Sequence, residues 1–116
     1  MTSNEPISQV FVESEIMRLS ALAEKVTFEL SQRARASAEA DAVYKREHAK
    51  AYLMASGKTV GERDAQTALE TDQEYTDRKI AEALLLAAQE AGRNYRAQLD
   101  ALRSINANLR PLVTER

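Results

Sequence analysis

His48 is the only histidine in the chain, and there is no cysteine. An imidazole is well suited to proton transfer near neutral pH, but it needs a nucleophile, a second base or a metal beside it. No nucleophile is evident near His48, which stands between Glu47 and Lys50 in a polar stretch and is expected to be exposed. The absence of cysteine excludes disulfides, thiolate chemistry and Cys-based metal sites. Glu70, Glu74 and Asp77 recur at four- and three-residue spacing, which places three carboxylates on one helix face. A ferritin-like di-metal centre uses carboxylates in this way, but it also takes Glu-x-x-His motifs from two helices. No such motif follows residue 60, so the three acids are read as a solvated face opposing Lys45, Arg46 and Lys50. Gly57-Lys58-Thr59 matches the last residues of a phosphate-binding loop. The complete motif requires an earlier glycine and a preceding strand, and Leu53 to Ser56 supplies no such glycine. No catalytic residue, cofactor or metal is therefore expected, and the chain is read as a non-enzyme.

The elements that would carry these residues are helical. Alanine dominates the apolar residues, while aromatics are few: four Tyr, two Phe and no Trp. Gly and Pro are scarce, at three and two residues. Charged residues of both signs make up 29% of the chain. Ala, Leu, Glu, Arg and Gln are strong helix formers, so this composition describes long helices with a thin apolar seam. The first fifteen residues have neither a basic region nor a long apolar run, so no secretory signal is expected. The most apolar stretch, Ala81 to Ala88, contains Glu82 and is too short to span a membrane. A cytoplasmic protein is expected, and the net charge of −2 gives no global attraction to nucleic acid or acidic membranes.

Ser56-Gly57-Lys58-Thr59 is the strongest break in the chain. Gly57 suits a left-handed residue ending one helix. Thr59-Val60-Gly61-Glu62 fits a capping box opening the next. Ser3 or Asn4 is a candidate cap for the first helix, with Pro6 in its first turn. The reading is all-α: one domain over 1–116, with helix 1 at about 6–55, a turn at 56–59 and helix 2 at about 60–110. Each helix would be roughly 75 Å long at 1.5 Å per residue. Such lengths point to a long antiparallel two-helix coiled-coil hairpin.

Apolar spacing places the helix 1 seam on Val12, Ile16, Leu19, Ala23, Val26, Leu30, Ser37, Ala40, Tyr44, Ala51 and Met54. Arg33 and Glu47 fall on it and weaken it. In helix 2 the seam is read through Leu69, Thr76, Ile80 and Leu84. It then continues in a shifted phase through Ala88, Ala91, Tyr95, Gln98, Leu102, Ile105, Leu109 and Leu112. Leu22, Phe28, Val43, Leu85, Leu86 and Leu99 are placed beside the seam. Charge supports antiparallel alignment: successive segments 1–31, 32–63, 64–90 and 91–116 carry −3, +3, −5 and +3.

A lone hairpin leaves apolar surface uncovered. A homodimer forming a four-helix bundle is therefore expected, associating through Val10, Phe11, Ile105, Leu109 and Leu112. Arg33, Arg35, Lys45, Arg46, Lys50, Lys58 and Arg63 gather toward the turn with Tyr44 and Tyr52. Such a basic tip could bind single-stranded nucleic acid by phosphate contact and stacking. The competing reading pairs these bases with the acidic start of helix 2 and is preferred. Tyr52, Lys58 and Arg63 are expected to be exposed at the tip, where a protein partner would meet them.

The stretch Tyr52-Leu53-Met54-Ala55-Ser56-Gly57, followed by Val60-Gly61-Glu62-Arg63-Asp64-Ala65 and then by Leu99-Asp100-Ala101-Leu102-Arg103, carries a family resemblance. From about residue 15 to 110 the chain is similar to small helical proteins of tailed bacteriophages, especially those of actinobacterial phages. The resemblance implies a role accessory to DNA replication or recombination in the host cytoplasm, and it brings no catalytic residues. The functional expectation is an adaptor that binds a replication, recombination or host protein. The alternatives are a single-stranded nucleic-acid binder and an assembly chaperone.

Overall fold

A computed structural model describes residues 8–114, with side chains described for residues 8–109. Among these residues the chain is all-helical: α1 spans Gln9–Met54, α2 Val60–Glu70 and α3 Asp72–Thr114. The candidate caps Ser3 and Asn4, and Pro6, lie outside the described residues. Ser8 caps α1 instead, its Oγ accepting from the Phe11 N–H at 3.0 Å. At the other end α3 continues past Pro111 to Thr114.

The turn is tied down from the α2 side. Thr59 caps α2 as expected, its Oγ1 accepting from the Glu62 N–H at 3.1 Å. Glu62 accepts from the Lys58 N–H at 2.8 Å, one residue earlier than a standard capping box would place it. Gln66 Oε1 accepts from the N–H groups of Ser56 (3.0 Å) and Gly57 (3.3 Å). Arg63 closes the set by donating to the Gly57 carbonyl at 3.2 Å. Three successive loop donors are thus satisfied by side chains of a single helix turn and its neighbour.

Gly57 is needed for a different reason from the one its position suggests. No glycine has positive φ among the described residues. A Cβ at Gly57 would stand 2.8 Å from the Glu62 Cβ and 2.9 Å from the Arg63 nitrogen. The glycine lets the loop backbone lie directly on the first turn of α2.

The expected single second helix is broken at Thr71, where φ is −109° and ψ 19°. Thr67 and Thr71 are both buried. Thr67 Oγ1 donates to the Arg63 carbonyl and Thr71 Oγ1 to the Thr67 carbonyl, each at 2.8 Å. Hydroxyls that bond back onto the preceding turn compete for its carbonyls and bend helices. The backbone bonds Thr71 N–H to Thr67 C=O and Tyr75 N–H to Thr71 C=O persist at 3.0 Å, so hydrogen bonding continues through the break.

The chain forms two compact units: Met1–Phe28 with Gln89–Arg116, and Glu29–Ala88. In the first, Val12, Leu19 and Val26 of α1 are buried, as are Leu99, Gly92 and Asn106 of α3. In the second, α1 and α3 run antiparallel. Asp41 meets Arg78 and Tyr44 meets Tyr75, so one number rises as the other falls.

The α1 seam falls where its apolar spacing puts it, except that Met54 is exposed. The later seam does so at Ala88, Ala91, Tyr95, Leu102, Ile105 and Leu109, but not before residue 88. Leu69 is 82% and Ile80 54% exposed, and Thr76, Leu84 and Gln98 also face solvent. Half-buried Glu82, Gln89, Ala91, Ile105 and Leu109 flank a continuous line of shielded positions: Thr67, Thr71, Glu74, Arg78, Ala81, Leu85, Ala88, Gly92, Tyr95, Leu99, Leu102 and Asn106. Their spacing alternates four and three without interruption, so the expected phase shift is absent. Leu85 and Leu99, placed beside the seam from sequence, lie on it.

Asn106 is 7% exposed, and its Oδ1 has no hydrogen-bond donor. It occupies a core position of this repeat, where an asparagine sets register at a cost in stability. Asn106→Leu should raise the unfolding free energy by about 1–3 kcal/mol, read from the midpoint of a urea transition. A lowered midpoint would show that the amide contributes more than it costs.

Candidate protein-interaction surface

Between Glu74 and Leu84 the second unit turns charged side chains toward its seam and leaves Ile80 and Leu84 outside. Its seam holds an ion cluster in which Arg78 Nε lies 3.0 Å from Asp41 and 3.3 Å from Glu82. The Asp41 contact is an ion pair by distance without hydrogen-bond alignment, and Arg78 Nε has no aligned acceptor. The guanidinium sits 5.1 Å from the Tyr44 ring centre. Tyr44 in turn meets Tyr75 edge to face at 5.8 Å. It also touches His48 at 5.5 Å, so the histidine is half-buried against an aromatic ring rather than exposed as expected. The hydrogen bond from Lys45, aided by the Lys45 and Arg78 charges and opposed by desolvation, lowers the Asp41 pKa from its ordinary value.

Outside this seam lie Leu53, Met54, Val60, Leu69, Ile80, Leu84 and Leu86, all exposed. Two concavities open beside them. A cavity of about 480 Å³ is lined by Glu47, Lys50, Ala51, Met54, Ala55, Gln66, Glu70, Thr71 and Glu74. A second, of about 460 Å³, is lined by His48, Ala49, Tyr52, Leu53 and Asp64. No three metal-ligating side chains gather at one point among the described residues.

No protein-family model, curated protein or solved structure matches this chain. The surface must therefore be read from its own chemistry.

Of the expected tip residues, Lys58 is exposed, whereas Tyr52 and Arg63 are half-buried. Arg63 is held by the Gly57 carbonyl, and Tyr52 lines the second cavity. Most of the basic residues of α1 toward the turn pair within their own helix: Lys45 with Asp41, Arg46 and Lys50 with Glu47, and Arg33 with Glu29, whereas Arg35 forms no ion pair among the described residues. Sequence spacing did not reveal Gln66 as a loop-closing residue, because its two partners lie nine and ten positions away.

In the first unit Val10 is 77% exposed, and Phe11 and Met17 are also exposed. Ile105 and Leu109 are half-buried, and the Leu112 side chain lies outside the described residues. No helix among the described residues is long and apolar enough to cross a membrane.

Proposed function

We propose that this protein is a non-enzymatic adaptor, a helical scaffold that acts by binding another protein. The observation that carries this reading is the local inversion in the second unit: Leu69, Ile80 and Leu84 stand in solvent while Asp41, Arg78 and Glu82 pair at the seam. Ile80 and Leu84, four residues apart on one helix face, are neighbours, and contiguous exposed apolar side chains mark surfaces that a partner covers. The resemblance to tailed-phage proteins suggests a replication, recombination or host protein in the cytoplasm as that partner. Self-association through Val10 and Phe11 of the first unit accompanies this role and would leave the second unit available.

Direct binding of single-stranded nucleic acid is the weaker reading. Lys45, Arg46 and Lys50 are already engaged by acids, and acids line the tip cavity. A photo-crosslinker at position 69 should yield a discrete protein adduct in lysate of the source cell, unaffected by nuclease. An adduct that disappears on nuclease treatment, or no adduct, contradicts the adaptor reading. Light scattering should give about twice the 12.9 kDa chain mass, returning to one chain in Val10→Asp with Phe11→Asp. A constant single-chain mass removes the dimer and leaves the adaptor standing.

A further inference from the structure

From Asp64 to Asp77 the chain carries five acids and no base. None of Asp64, Glu70, Asp72, Glu74 and Asp77 forms an ion pair among the described residues. The expected opposing bases are occupied elsewhere: Lys45 by Asp41, and Arg46 and Lys50 by Glu47. Glu70 and Glu74 stand on the 480 Å³ cavity beside an apolar wall of Ala51, Met54 and Ala55. Met54 is 83% exposed, although it ends the α1 seam. Glu74 Oε2 is shielded from solvent and has no hydrogen-bond donor. A carboxylate oxygen so placed favours any donor that reaches it.

Apolar wall and uncompensated carboxylates together select the occupant. Phosphate would meet Glu47, Glu70 and Glu74 against the single base Lys50, which Glu47 already engages. A bare metal ion finds no gathered ligand set, and it would leave the methionine and alanines uncovered. We propose that the cavity receives a basic amphipathic helical segment of a protein partner. One apolar side chain enters against Ala51, Met54 and Ala55, and Lys or Arg side chains one turn away meet Glu70 and Glu74. Methionine adapts to apolar side chains of differing shape, as helix-binding grooves require. This inference rests on the adaptor reading and names the chemistry of its partner.

The test uses the full chain and a leucine–lysine amphipathic peptide about four turns long, followed by fluorescence anisotropy and NMR at physiological salt. Saturable one-to-one binding is expected, with shift changes centred on Ala51, Met54, Ala55 and Glu74. Glu70→Gln with Glu74→Gln should weaken it at least about tenfold while the helical circular dichroism is unchanged. Equal binding of a lysine-only peptide, or an unaltered affinity in the double variant, overturns the proposal. So does a response at these residues to spermidine or magnesium but not to the peptide. If the peptide fails while the position-69 adduct persists, the partner chemistry falls and the adaptor reading survives. Loss of both removes the adaptor reading as well.

Discussion

Leu99→Ala should lower the unfolding free energy by about 2–5 kcal/mol, whereas Leu69→Ala should change it by no more than about 0.5 kcal/mol. The two side chains are identical and differ only in where the helix places them. Leu99 is 4% exposed and sits in a continuous four–three repeat. Truncating it removes buried area and leaves a cavity that a rigid helix pair cannot close. Leu69 is already in solvent, so its truncation removes little from the folded state. For a domain whose total stability is about 5–15 kcal/mol, the first loss is a large part of the whole. The chain has few buried apolar side chains to share the load: Val12, Leu19, Val26, Ala88 and Leu99 among the described residues. Denaturant midpoints at constant slope provide the comparison.

Gly57→Ala should cost about 1–3 kcal/mol, and Gly61→Ala should add about 0.5–1 kcal/mol. The two glycines are four residues apart. At Gly57 the added methyl meets the Glu62 Cβ at 2.8 Å and the Arg63 nitrogen at 2.9 Å. Neither is the far end of a flexible side chain, so the loop must lift from α2. Lifting it also stretches the bonds from Gln66 to Ser56 and Gly57 and from Arg63 to Gly57. At Gly61 the nearest atom is the Thr59 Oγ1 at 4.0 Å, so a methyl is accommodated and the helix gains a better former. Thermal unfolding of the two variants should therefore move in opposite directions. Equal shifts would show that the close approach at Gly57 does not hold the turn.

What was legible in the sequence followed from how directly each residue reports its environment. The α1 seam was legible because its inward positions carry Val12, Ile16, Leu19, Val26 and Leu30, so hydrophobicity and geometry agree. The turn was legible because Gly57 and Thr59 are strong local signals. The reason for Gly57 was not, because close approach to residues 62 and 63 leaves no mark in spacing. The phase of α3 was misread because its inward positions include Glu74, Arg78 and Glu82, while Ile80 and Leu84 point outward. Any reading that puts apolar residues inside selects the wrong face there. The break at Thr71 was missed for a related reason: buried threonines that bond to the preceding turn look like ordinary polar residues in a sequence.

The same inversion gives the candidate site its character. A seam carrying Asp41, Arg78 and Glu82 supplies specificity of alignment more than stability, because side chains that stay 28–40% exposed are screened by water. The apolar side chains not used inside are available outside, next to carboxylates without partners. The misread stretch of α3 begins at Glu74, which also lines the proposed binding cavity, so local pattern and fold disagree next to the candidate site.

Solvent paramagnetic relaxation on methyl-labelled protein tests that inversion most directly. With a soluble neutral paramagnet, the methyl signals of Leu69 and Ile80 should broaden steeply, while those of Leu85 and Leu99 stay sharp. Protected Ile80 and Leu84 methyls beside a broadened Leu85 would place the apolar residues inside, and the interaction surface described for this unit would not exist.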